Sequence, residues 1–405
     1  MLSWEQTAAE STTKESRQTL LWEAYGGLCQ RAWVEIDLAA LTHNVKQLKK
    51  LLSPHTELMA VVKADAYGHG AVAVSQTALQ AGASWLGVAT IPEGIELREA
   101  GIEAPILLLG ATHTAEQVKA IAQWHLQPTI GTAKQALIFS EVLAGLNQSL
   151  PVHANLDTGM SRLGTPWQEA TEFVQLVKRL PNLKLASIYS HLATADSPDS
   201  GVMREQHQRF KRAIEQIKIA GINPPRLHLA NSAAALANPD LHYDLVRVGL
   251  ATYGLYPAPH LQSSANLKPA MQVKARVTQV KTLEAGTGVS YGYQFIAQRP
   301  TQIAVIGIGY ADGIPRNLSN KMQVLVRGQF VRQVGAVTMD QLMLDVTDIP
   351  DLEVGEVVTL LGKDGENQIS ADDWAVTLGT ISWEILCGFK HRLPRVAVGK
   401  TSVVE

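Results

Sequence analysis

The chain has 405 residues, too many for one small core, and its 46% hydrophobic and 18% charged residues are ordinary for a soluble globular protein. A net charge of −2 offers nothing to attract nucleic acid or an anionic membrane, and no apolar run is long enough to span a bilayer. Two cysteines, Cys29 and Cys387, exclude a disulfide framework and have no metal-ligand spacing, so both are expected to be reduced packing residues of a cytoplasmic protein that binds no metal.

Residues 1–30 are polar and lack the apolar stretch of a secretory signal, which predicts a poorly ordered leader with a short helix over 18–25. From about residue 59 to 250, short apolar runs alternate with amphipathic segments. The runs are LMAVVK (58–63), WLGVA (85–89), PILLLG (105–110), LQPTIG (126–131), VHANLD (152–157), LASIYSHL (185–192), RLHLAN (226–231) and LVRVG (245–249). Helices are expected at 93–100, 115–122, 134–144, 167–180 and 203–220, with Pro166 opening one and Gly221 following another. Eight strands at this spacing predict a closed (β/α)8 TIM-like barrel. An open doubly wound sheet gives the same alternation, but no GxGxxG follows the first strand.

The pattern changes after Pro257 and Pro259. Residues 260–268 read as a linker, and MQVKARVTQVKTL (271–283) alternates with period two. Shorter runs at 301–308, 322–326, 331–334, 342–346 and 357–361 stand between turn residues, followed by helices at 371–379 and 381–387 and a strand at 395–398. The expected fold class is therefore α/β, an N-terminal barrel followed by a β-rich C-terminal domain.

A site in such a barrel lies at the C-terminal ends of the strands. Lys63 ends the first run. A lysine there either snorkels to water or, with a lowered pKa, serves as an amine nucleophile toward carbonyls. Asn155 and Asp157 end the fifth run, with Arg162 just beyond, and His191 ends the sixth. Asn231 and Ser232 end the seventh, and Arg247, Gly249 and Leu250 the eighth. The last two loops of these barrels often bind phosphate. Ser232 is placed to cap a helix, and Gly249 permits close backbone approach. A phosphate site facing a lysine amine suggests pyridoxal phosphate.

AVVKADAYGHG (60–70), DTGMSRLG (157–164), SHLATAD (190–196), ANSAA (230–234), VRVGLATYGLYP (246–257), VSYG (289–292), GIGYADG (307–313) and VTMDQLM (337–343) stand in this order. On these motifs the chain resembles the alanine racemases, fold-type III pyridoxal-phosphate enzymes, over residues 31–398. The resemblance implies that the strand at 31–38 joins the C-terminal domain (266–405), leaving 39–265 as the barrel. It implies that Lys63 holds the cofactor as a Schiff base and is the base on the D-alanine face. Tyr291 would be the base on the L-alanine face, delivered across a homodimer with shared active sites. Tyr67, Ser232, Gly249 and Leu250 would bind phosphate, with Asn231 and His191 also at the cofactor. Arg247 would face the pyridine nitrogen. A guanidinium keeps its proton, so it should leave that nitrogen unprotonated and weaken the electron sink. A run of Tyr291, His191 and Arg247 would lower the phenol's pKa. Arg162 and the backbone of the partner's Met339 would hold the alanine carboxylate. Tyr310 and Asp196 would line the entrance, and Asp340 would support the wall beside Met339. The product, D-alanine, would supply peptidoglycan synthesis.

The chain departs from the family pattern at two places. Many members carry a carbamylated lysine where this chain has Asn155, so a chloride is expected near Asn155 and Arg162. Many also have a C-terminal tyrosine that reaches the phosphate, and here Trp383 and His391 are the nearby residues. The alternatives are a racemase of broader range, a decarboxylase (which would want a carboxylate in place of Arg247), or a non-catalytic carrier, which would lack the β-rich domain.

Overall fold

The computed structural model describes residues 31–389 and 391–399. The expected leader, its helix at 18–25 and Cys29 lie outside these residues. The described residues divide into two compact units, Asp37–Ala270 and a second built from residues 31–36 together with Met271–Val398. The first strand, β1 (Ala32–Asp37), belongs mainly to the second unit.

All eight expected runs of the barrel unit are strands: β2 (Glu57–Val61), β3 (Trp85–Val88), β4 (Ile106–Leu108), β5 (Gln127–Ile130), β6 (Leu150–Asp157), β7 (Leu183–Tyr189), β8 (Leu227–His228) and β9 (Leu245–Val248). They form one parallel sheet in the order β9-β2-β3-β4-β5-β6-β7-β8. Hydrogen bonds from Asp244 N to Leu227 O and from Arg247 N to Ala230 O, each 3.0 Å, draw β9 against β8 and nearly close the barrel. Side chains on both faces are buried, which is why the strands read as continuous apolar runs. Met59, Trp85, Leu107 and Leu245 form a buried cluster within the barrel.

Helices cover the outside. Thr90 and Glu93 form a capping box at α3 (Ile91–Glu99), after α1 (Leu38–Leu51) and α2 (Ala71–Gln80), and Thr114 and Gln117 form another at α4 (Ala115–Gln123). The next helices are α5 (Ala133–Gly145), α6 (Ala170–Arg179) and α7 (Gly201–Ile219). On α6, Ala170, Phe173, Val174 and Val177 make the buried stripe expected at helical spacing.

The second unit is strand-rich. β1 pairs antiparallel with β10 (Met271–Leu283), placing Ala32 opposite Ala275. β10 also pairs with β11 (Thr301–Ile306) and with Val357–Asp364, while Leu342–Asp345 adds to the far side of β11. Cys387 is exposed on the helix Ser382–Gly388, which corrects the expectation of a packing residue. That helix turns Ile385 and Leu386 inward instead.

Candidate functional site

Lys63 does not end its strand, which stops at Val61. It opens a turn in which Ala64, Asp65, Ala66 and Tyr67 have φ of 54°, 53°, 51° and 54°. Four successive non-glycine residues in the left-handed region cost about 1–2 kcal/mol each. The surroundings hold them there. Ala64 N–H donates to Glu93 Oε1 at 2.7 Å, and Ala71 N–H donates to Asp65 Oδ1 at 2.8 Å. Such strain clusters at functional sites, and this turn starts at Lys63. Ala64 is exposed, so Ala64→Gly should stabilise the protein by about 1 kcal/mol in a denaturant titration, because glycine carries no left-handed penalty. A loss of stability would contradict the conformation.

Ser232, Gly249 and Tyr67 converge at the ends of β8 and β9. The cap of the short helix Ser232–Ala237 is Asn231, whose side chain accepts from Ala234 N–H at 3.0 Å, and not Ser232 as expected. The Ser232 hydroxyl instead accepts from Gly249 N–H at 3.0 Å. A Cβ on Gly249 would lie 2.5 Å from the Tyr67 hydroxyl, so the glycine is needed for the phenol to reach the backbone. The Tyr67 ring leans on Tyr253, whose hydroxyl donates to Val61 O at 2.8 Å. Two hydroxyls and the Leu250 N–H, the one at the start of the turn Leu250–Tyr253 that neither Ser232 Oγ nor Gly249 O takes up, make a set without a carboxylate, which suits a phosphate group.

Arg247 is buried in the barrel bore. Its Nη2 donates to Ser190 O at 2.8 Å and meets His191 Nδ1 at 3.2 Å, while Nη1 meets His228 Nδ1 at 3.1 Å. Each of these hydrogen bonds goes to a carbonyl or an imidazole, so no carboxylate among them offsets the charge. Burial lowers the guanidinium's pKa to about 10, which leaves it cationic at neutral pH. Burial and the cations Arg247, Arg162 and Lys63 push His191 down to about 3. The fold thus gathers three of the expected basic residues around one neutral imidazole. His153 is likewise held down to about 3 by burial and Arg226, and burial and Arg247 hold His228 well below the ordinary 6.5. Below pH 6.5 the unfolded chain binds protons that these folded imidazoles refuse. Stability should therefore be fully present above pH 6.5 and fall by about 1.4 kcal/mol per pH unit for each imidazole as pH drops, until about pH 3 for His153. Denaturant midpoints at pH 7 and pH 5 measure the slope, and equal midpoints would contradict it.

Asn155 is only 6% exposed and makes no side-chain hydrogen bond among the described residues, whereas Arg162 is exposed. Asp157 shapes the loop between them, accepting from Gly159 N–H at 2.9 Å and Ser161 N–H at 3.0 Å. Sequence reasoning missed Gln206. Its buried side chain accepts from Ala193 N–H at 2.9 Å and donates to His191 O at 3.1 Å, fixing the loop that carries His191 and the exposed Asp196. Its signal was there, a lone amide between Met203 and Phe210 on the buried face of α7.

In the second unit Tyr291 is 72% exposed on a short turn that follows Ser290 at φ 64°. Ser290 is held by a hydrogen bond from its hydroxyl to Ala336 O at 2.8 Å. Met339 is exposed, and its carbonyl accepts from Ala311 N–H at 3.0 Å. A Cβ on Gly309 would lie 2.3 Å from Thr338 O, so the segment under the exposed Tyr310 packs directly on this backbone. Asp340 pairs with Arg392 at 2.7 Å, and the fully buried Asp312 takes a two-pronged bond from Arg31 at 2.6 and 2.8 Å. Trp383 is half-buried and His391 exposed, and neither makes a side-chain hydrogen bond among the described residues.

Two family models match the chain, the alanine racemase N-terminal domain over residues 36–257 and the alanine racemase C-terminal domain over 270–397. An alanine racemase of Nostoc sp. is 71% identical over 93% of this chain and 98% of its own length, and one of Synechocystis sp. is 62% identical over 91% and 99%. Among solved structures, the alanine racemase of Clostridium difficile superposes with a TM-score of 0.87 at 35% identity, covering 92% of this chain and 96% of that one. That of Bacillus anthracis, solved with bound L-Ala-P, superposes at 0.86 and 36% identity, covering 93% and 97%. A strained lysine turn, a phosphate-suited cradle and a buried uncompensated guanidinium, together with these matches over nearly all of its length, establish that the chain belongs to the alanine racemase family.

Proposed function

We propose that the protein interconverts L- and D-alanine with pyridoxal phosphate, as a cytoplasmic homodimer that supplies D-alanine for peptidoglycan. The observation that carries this reading is the buried Arg247, bonded to the imidazoles of His191 and His228 and to no carboxylate, with the charges of Arg162 and Lys63 also felt at His191. Tyr67, Ser232 and the backbone at Gly249 and Leu250 would hold the phosphate, and Asn231 caps the helix that places Ser232. Lys63 would carry the aldehyde carbon, and Arg247 would face the ring nitrogen. Bound in this way, the cofactor draws electron density from the amino acid's α-carbon and makes its hydrogen removable.

The chain's own groups do the rest. Inverting a stereocentre requires a proton to leave one face and another to return on the opposite face, which calls for two bases. Lys63 Nζ serves the D-alanine face, and the Tyr291 hydroxyl of a second copy serves the other. Arg247 cannot surrender a proton to the ring nitrogen, so charge withdrawal stays modest and side reactions such as transamination are held down. Arg162 and the Met339 backbone would take the carboxylate. The Met339 carbonyl is already engaged by Ala311, which leaves the N–H for that contact. Tyr310 and Asp196 would edge the entrance, and Asp340, held by Arg392, would stiffen the wall beside Met339.

The test is a chiral amino-acid assay on purified protein with cofactor. Alanine should be the fastest substrate, and faster turnover of serine or arginine would displace the assignment. We further propose that a chloride lies between Asn155 and Arg162, supplying the negative charge that neither side chain has. Crystals grown with bromide should show an anomalous peak there, and its absence would remove the anion from the account.

A further inference from the structure

We propose that Ser187, His153 and Gln127 are positioning residues for Arg247, linked to it through His228 in a one-way chain of hydrogen bonds down the barrel bore. The proposal rests on the reading of Arg247 just given and adds the residues that aim it. From the mouth downward, Arg247 Nη1 lies 3.1 Å from His228 Nδ1, and His228 Nε2 lies 2.7 Å from Ser187 Oγ. Ser187 Oγ lies 2.6 Å from His153 Nδ1, and His153 Nε2 lies 2.9 Å from Gln127 Oε1. His153, Ser187 and His228 are each 0% exposed. Gln127 opens β5, at the end of the barrel opposite the site.

The two ends fix the direction of every bond, because Arg247 can only donate and Gln127 Oε1 can only accept. A guanidinium has donors only, so His228 Nδ1 must accept and its proton must sit on Nε2. Ser187 Oγ then accepts from His228 and gives its own hydrogen to His153 Nδ1. That leaves His153 protonated on Nε2, facing the Gln127 carbonyl oxygen. The opposite order would set N–H against N–H at Arg247 and push the guanidinium away. Packing holds the planes in place, with Tyr189 stacked on His228 at 4.7 Å and Trp85 edge-on to His153 at 5.6 Å. A barrel core has no need of a polar file from end to end, and each member left unpaired would be costly, which argues that the file has a use.

Nitrogen-15 NMR of histidine-labelled protein tests this, with and without cofactor, because two-bond couplings report which ring nitrogen bears the hydrogen. Both His153 and His228 should show the Nε2–H form. Finding Nδ1–H or a cation at His228 would overturn the proposal without any variant. Gln127→Glu should turn His153 into a cation, reverse Ser187 and move His228 to Nδ1–H. On alanine, kcat should then drop about tenfold while KM changes less than about twofold. Ser187→Ala should give a similar kcat loss. A folded Ser187→Ala protein with full kcat, or a His228 reversal that leaves kcat intact, would sink the idea. Should the wild type fail to racemise alanine at all, the function proposed above falls, and the tautomers of the cofactor-free protein still judge the chain of bonds.

Discussion

Lys63→Ala should lower alanine racemisation by about a thousandfold, the range expected when a positioned base is lost, and should abolish the visible absorption of the lysine-bound cofactor. The size of the effect follows from how the amine is held. The left-handed turn at Ala64, Asp65, Ala66 and Tyr67 is braced by Glu93 at one end and Ala71 at the other, which fixes the backbone from which Lys63 extends. The same turn presents Tyr67 to Gly249, coupling the lysine to the cradle proposed for the phosphate. A small primary amine added to the variant should restore part of the proton transfer, because it can enter the space the side chain left. Absorption spectra and a coupled D-alanine assay read both effects. A variant that kept the lysine-bound absorption would show that the cofactor attaches elsewhere.

Tyr291→Phe should keep that absorption yet lose about 10²- to 10⁴-fold in turnover. The phenol is 72% exposed within a single chain, on a turn whose preceding residue, Ser290, is pinned at φ 64° by its bond to Ala336. An exposed tyrosine on a braced turn suits the proposed role toward a second copy of the chain. A phenol is a weak base near neutral pH, and in the proposed dimer the cations that hold His191 neutral would supply positive potential beside it. Exchange of the α-hydrogen with solvent deuterium separates the faces. The variant should still exchange D-alanine and should fail on L-alanine. Equal loss on both would reverse or dissolve the assignment.

Much of this was legible because a parallel barrel buries both faces of its strands, so that runs such as LMAVVK and PILLLG announce themselves, and their last residues fall at the mouth by construction. Less legible was anything decided by a distant partner. The left-handed turn after Lys63 depends on Glu93, which local sequence marks only as a capping residue. Ser232 and Asn231 are both good caps, and the choice fell to Asn231 because the Gly249 N–H claims the serine hydroxyl. His153 and Ser187 read as ordinary members of apolar strands, since the bonds that join them to His228 run between strands far apart in the chain.

The pairing of β1 with β10 bears on how the molecule is made. Ala32 emerges from the ribosome long before Ala275, its partner in register. The strand-rich unit therefore has high contact order and cannot zip up until most of the nascent chain has been synthesised, whereas the barrel strands between them can already collapse on one another. During that interval β1, with Val34 and Ile36 destined for burial, is an unpaired apolar edge, and chaperone capture of stalled translation products should concentrate on it.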